Sequence, residues 1–177
     1  MATEADLAAA RGGNQEALEN LAQEIWPLAF RVALAVLADR HAAQDAAQEA
    51  MINILRAVPG LRSAQALPAY ARKVAARCAH RELQRTRREL PTEVSSFPDL
   101  GFVGDEYLDL RQAIAEMVAE DRIPLLLHYG AGMTSAEIGE ALGIAATAVR
   151  FRLMRAKDRL RRALSSVEEG AMPNGAH

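Results

Sequence analysis

Residues 134–162, TSAEIGEALGIAATAVRFRLMRAKDRLRR, carry the decisive local pattern in this 177-residue chain. Thr134 followed three residues later by Glu137 is a capping box, in which hydroxyl and carboxylate each accept a backbone N–H that a helix start leaves unpaired. Ile138, Ala141 and Leu142 give that helix an apolar face, and Gly143 falls where a left-handed residue closes a helix. A second helix is expected at once, from about Ala146 to Leu164, carrying seven cations between Arg150 and Arg162. Helix, tight glycine turn and longer basic helix form the helix-turn-helix pattern, whose second helix enters the DNA major groove. A solvated basic helix is the plainer alternative for this stretch taken alone.

Outward from this stretch, the chain reads as helical throughout. Thr3 and Asp6 form a second capping box, opening a short helix that ends at Gly12-Gly13. Asn14 caps the next helix, with Leu18, Leu21, Ile25, Leu28, Ala29, Val32 and Val36 at helical spacing; Pro27 should kink it or split it in two. A third helix is expected over about Ala42–Ala57, stopped by Pro59-Gly60. A fourth runs from about Leu67 to Arg88, with Tyr70, Ala71, Val74, Ala75, Cys78 and Leu83 inward. Residues 90–107 lose all periodicity among Pro91, Ser95, Ser96, Pro98, Gly101 and Gly104, and read as a flexible acidic linker. The expected architecture is all-α: a helical domain at 1–89, a linker at 90–107, a helix-turn-helix domain at 108–167 and a tail at 168–177.

Composition agrees. Half the residues are hydrophobic but 5% are aromatic, so the apolar mass is mostly Ala, Leu, Val and Ile, which favours helices over sheets. No apolar run reaches the roughly 18 to 20 residues of a bilayer span, the N-terminus lacks an apolar signal core, and a cytoplasmic location is expected. The single Cys78 excludes an internal disulfide and a multi-cysteine zinc site. His41, His80, His128 and His177 share no metal spacing, no phosphate-cradling glycine loop occurs, and no nucleophile is paired with a base. Neither catalysis nor a metal, cofactor or small-molecule substrate is expected. The net charge is −2, yet 12 of the 21 basic residues sit in 77–88 and 150–162. Two separated basic clusters on an otherwise acidic chain point to a polyanion touched at two places.

The run Met117–Tyr129, then Gly132-Met133-Thr134, Glu137–Ile144 and Val149-Arg150-x-Arg152-Leu153-x-Arg155-Ala156, resembles region 4 of the extracytoplasmic-function (ECF) sigma factors, small two-domain bacterial initiation factors. Asp45–Ala50 followed by Arg56 resembles their region 2.2. Tyr70-x-x-Lys73-Val74-Ala75, with the arginines through Arg88, resembles their regions 2.3 and 2.4. The resemblance implies docking on core RNA polymerase through Asp45, Gln48, Glu49 and Arg56. It implies melting and capture of the −10 promoter element by Tyr70, Lys73, Arg77, Arg81, Arg85, Arg87 and Arg88, with the 61–67 loop. It implies reading of the −35 element by Thr147, Arg150, Phe151, Met154 and Arg155, with Arg152 and Lys157 on phosphate or packed locally. Core polymerase, promoter DNA and an anti-sigma protein are the partners it implies.

Several residues depart from the family pattern. Tyr70 stands where Trp is usual, Arg77 and Arg81 near usual Asn and Asp, and Ala42 and Gln44 where acids are common. Ala145 replaces a capping Ser, so Thr147 is the substitute cap. Pro124 replaces a helix-interior aliphatic and requires a helix start within the preceding turn. Two rivals stay open: an operator-binding regulator working without polymerase, and a sigma-like decoy that sequesters an anti-sigma protein.

Overall fold

The computed structural model describes residues 3–89 and 108–170, with side chains described over 3–87 and 108–165; the expected linker 90–107 and residues 171–177 lie outside the described residues. Eight α-helices are found among the described residues, and no strand. They are α1 (Glu4–Arg11), α2 (Gln15–Leu37), α3 (Arg40–Ala57), α4 (Leu67–Glu89), α5 (Leu108–Ala115), α6 (Ala119–Leu125), α7 (Ser135–Leu142) and α8 (Ala146–Gly170).

Local chemistry sets most of these boundaries. Thr3 Oγ1 accepts from Asp6 N–H while Asp6 Oδ2 accepts from Thr3 N–H at 2.9 Å, the reciprocal box that starts α1. Asn14 Oδ1 accepts from Ala17 N–H at 2.9 Å to start α2. Asp39 Oδ1 accepts from Ala42 N–H at 2.7 Å, so α3 begins at Arg40, two residues before the expected start. Pro27 does not split α2, which runs 23 residues through it. Proline's fixed φ suits a helix, and the one backbone bond it removes is outweighed by the apolar face α2 lays on α3 and α4.

The first region packs α2, α3 and α4 on one another, with α1 against α2. Its core joins Leu21, Ile25 and Val32 of α2 to Ala43, Ala47 and Ile54 of α3 and Ala71, Ala75 and Cys78 of α4. Alanines at these contacts let the helix axes approach closely. Every residue from Val32 to Ala38 is buried. A helix covered on all sides must have neighbours on all sides, and the outer face of α2 is covered by the second region, through the turn that follows α6.

In the second region α5, α6 and α7 pack around α8, over a core that includes Ile114, Leu127, Met133, Ile138, Val149 and Leu153. Pro124 is the sixth residue of α6, which starts at Ala119, so the helix does not begin within the preceding turn as expected and instead runs through the proline, as α2 does through Pro27. Beyond it, residues Leu126–Gly130 widen into a π-helical turn, with Ala131 N–H donating to the Leu126 carbonyl at 3.2 Å. His128 Nδ1 lies 2.7 Å from the Met133 carbonyl; that oxygen only accepts, so Nδ1 carries the proton. The Thr134–Glu137 box forms as expected, with Thr134 N–H donating to Glu137 Oε2 at 2.8 Å. Gly143 takes φ +69°, and Ile144 N–H returns to the Gly139 carbonyl at 2.9 Å. A Cβ on Gly139 would lie 2.6 Å from the Ile144 carbonyl oxygen, so the turn closes over a position where only hydrogen fits. Helix α8 extends to Gly170, beyond the expected Leu164, and begins at Ala146, which puts Ala145 at the cap and Thr147 inside the first turn. Thr147 is therefore not the substitute cap.

Candidate nucleic-acid interface

Helix α8 presents Thr147, Arg150, Phe151 and Met154 at i, i+3, i+4 and i+7, all exposed on one face. Val149, Leu153 and Ala156 bury the opposite face against α5, α6 and α7. Phe151 and Met154 are 54% and 52% exposed, a large apolar surface for a helix to leave in water beside a cation. Such a face can contact thymine methyls through the ring and thioether while Arg150 reaches guanine.

Three further basic residues of α8, Arg155, Lys157 and Arg152, lie against local groups. Arg155 Nη2 lies 2.5 Å from Oδ1 of Asp121, whose side chain is 1% exposed in α6. Its guanidinium also sits 5.2 Å from the Phe151 ring centroid. Lys157 lies 5.9 Å from the centroid of Tyr129 in the π-helical turn, and Arg152 lines a hollow facing α4. Both point to packing rather than to a free groove face. Arg122, unforeseen in the sequence, is buried with Nη1 3.4 Å from the Ala115 carbonyl and Nε unpartnered. Burial, then the charge of Arg87, lowers its pKa.

Helix α4 carries Lys73, Arg77, Arg81 and Arg85 at successive i, i+4 steps, a cationic stripe beside half-buried Tyr70. Each cation has a carboxylate. Lys73 Nζ is 2.5 Å from Glu140 Oε1, and Arg77 pairs with the same carboxylate. Arg81 is 2.8 Å from Glu49 of α3, and Arg85 is 2.6 Å from Glu82. Glu140 belongs to α7, so the helix-turn-helix lies against the stripe. The hydrogen bond from Lys73 and the two nearby positive charges hold Glu140 below the usual carboxylate range. Arg87 is exposed; the side chain of Arg88 lies outside the described residues. The 61–67 loop contains a 3₁₀ turn at Ala64–Ala66 and begins α4 at Leu67.

On α3, Asp45, Gln48, Glu49 and Arg56 are exposed, at i, i+3, i+4 and i+11. The structure adds Ile52 to this face, 51% exposed. It borders an apolar groove of Trp26, Met51 and Leu55. An isoleucine on a polar stripe was the available signal. Cys78 is buried within 3.8 Å of Asn53 Nδ2, and burial raises its thiol pKa, which leaves it a core residue. No cluster of metal-ligating side chains occurs among the described residues, and no helix there is long and apolar enough to cross a membrane.

Where α4 meets the second region, His80 lines the hollow shared with Arg87, Glu120 and Arg152. Burial, then the Arg87 charge, holds its pKa below the ordinary 6.5, and Nδ1 has no partner. A depressed base favours the neutral form, so the packed seam is at full strength above 6.5 and weakens as pH falls through the folded-state value. Between about pH 7.5 and about pH 5 the wild-type melting temperature should fall more than that of His80→Gln. Equal declines would exclude His80 as the cause.

A family model for Sigma-70 region 2 matches residues 21–89, and one for Sigma-70 region 4 matches 107–160. Between them they span more than half the chain. Its fold is that of two solved structures in particular. The sigma factor RpoE from Bartonella quintana, in complex with the anti-sigma factor NepR, aligns at TM-score 0.63 and 16% identity, over 81% of this chain and 93% of that one. CnrH, in complex with the cytosolic domain of CnrY, aligns at TM-score 0.58 and 20% identity, over 92% of this chain and 97% of that one. No curated protein matches the sequence. The chain belongs to the sigma-70 family of transcription initiation factors. Region 2 followed by region 4 is the order that the resemblance to the ECF sigma factors implies.

Proposed function

We propose that this chain directs core RNA polymerase to promoters and helps open them, working in the cytoplasm without catalytic chemistry of its own. Residues 1–89 and 108–167 act as two domains, joined by 90–107. The exposed face of α3 with Ile52 and its apolar groove docks on polymerase, the α4 stripe holds the melted −10 strand, and α8 reads the −35 element. The observation that carries this reading is the α8 face, where Phe151 and Met154 stand in water beside Arg150 and Thr147 behind a closed helix-turn-helix. Within the notional −35 set, Arg155 positions α8 through Asp121 and leaves base contact to Arg150, Phe151 and Met154. An anti-sigma protein as a further partner is supported by RpoE, solved with NepR.

The test is transcription with purified core polymerase on fragmented genomic DNA, with RNA 5′ ends sequenced. Discrete starts that share motifs at two upstream positions are expected. No starts and no polymerase binding would instead favour the operator-binding regulator or the decoy. At an identified promoter, Arg150→Ala should cost about 1–3 kcal/mol of −35 discrimination at one base position. A uniform loss across all −35 sequences would instead make Arg150 a phosphate contact.

A further inference from the structure

The geometry points to Glu140 as a built-in competitor for DNA, an intramolecular stand-in for a backbone phosphate on the α4 stripe. The inference rests on the reading of α4 as the −10 strand surface. One carboxylate, carried by α7 of the helix-turn-helix, bridges Lys73 and Arg77, two cations one turn apart. Two cations around a singly charged group with two acceptor oxygens is the arrangement a phosphodiester would meet there. A strand laid along α4 must displace Glu140 to reach them. Glu137, one turn earlier on α7, has its pKa lowered first by the Thr134 N–H it accepts from, then by the Thr134 hydroxyl and, in smaller part, by the charges of Arg72 and Lys73 on α4.

Exposure sets the strength of this contact. Lys73, Arg77 and Glu140 side chains are 30%, 48% and 48% exposed, so water and salt screen the pairs and each is worth little. A polyanion that releases counterions on binding can displace such a clamp, whereas a single weak phosphate contact cannot. The clamp therefore discriminates by valence: it holds the strand surface shut against isolated contacts and yields when a strand engages several cations together. Displacing α7 also frees the helix-turn-helix from α4, coupling strand capture to release of the −35 reader.

The experiment is fluorescence anisotropy of a labelled mixed-sequence single-stranded DNA of about 20 nucleotides, titrated at low salt with the full chain, its fold checked by circular dichroism. Glu140→Gln should bind about three- to tenfold more tightly than wild type, since both screened pairs with Lys73 and Arg77 are released together. Glu140→Lys should bind more tightly still. Adding Lys73→Gln and Arg77→Gln to Glu140→Gln should abolish the gain. Equal binding by wild type and Glu140→Gln, with the Lys73→Gln, Arg77→Gln pair still weakening wild type, would overturn the competitor while leaving α4 as the strand surface. If the cation substitutions change nothing, or if no protein in the series binds, both the competitor and the strand surface fall, whatever the transcription test shows.

Discussion

Arg155→Ala should lower the stability of the second region by about 3 kcal/mol, a larger effect than any loss of base contact at that position. The carboxylate of Asp121 is 1% exposed, its Oδ2 has no partner, and Oδ1 is held by Arg155 at 2.5 Å. Removing the guanidinium leaves a buried charge with no counter-charge at the α6–α8 contact. Arg155 itself is 43% exposed, so forming the pair contributes far less than breaking it costs. The double variant Asp121→Asn, Arg155→Ala should recover most of the loss, because the buried charge is gone. Denaturant unfolding of the four proteins in that cycle gives the coupling directly. An Arg155→Ala protein that unfolds at the wild-type midpoint yet loses −35 discrimination would return Arg155 to the base-reading set.

The second large effect is expected at Gly139. Gly139→Ala should destabilise the helix-turn-helix by about 3 kcal/mol and disrupt DNA recognition through the turn rather than through any contact. The added Cβ would sit 2.6 Å from the Ile144 carbonyl oxygen and 3.2 Å from the Ala146 nitrogen. Both are backbone atoms of the turn, so relief requires α8 to move away from α7. Gly143→Ala, with open space around its Cβ but φ at +69°, should cost only about 1–2 kcal/mol. The order of the two midpoints checks the argument: a Gly143→Ala protein less stable than Gly139→Ala would mean that conformation rather than crowding limits this turn.

Much of the fold was legible because its signals are local. Caps at Thr3, Asn14 and Thr134 act on N–H groups three residues ahead, and α3 starts two residues before the expected Ala42 because Asp39 caps it in the same way. Gly143 announced its left-handed turn, whereas Gly139 gave no sign, since its constraint comes from a chain reversal. Pro27 leaves α2 unbroken because the packing that compensates for its one missing hydrogen bond comes from α3 and α4, distant in sequence. Helical spacing picks out only Val32 and Val36 from the seven consecutive apolar residues Val32 to Ala38, whereas the unbroken run is the mark of a helix covered on every side.

The amino-acid sequence by itself determined the helices, the helix-turn-helix, the two basic clusters and the family resemblance, because each rests on neighbours within a few residues or on residue order. Only the tertiary structure decided which cations are available. Arg155 and Asp121 are 34 residues apart, and Arg77 and Glu140 are 63 apart. Charge count and helical phase say nothing about pairs at such separations. Whether an arginine reads DNA, anchors a helix or is held by a competing carboxylate depends on what the fold brings to its tip.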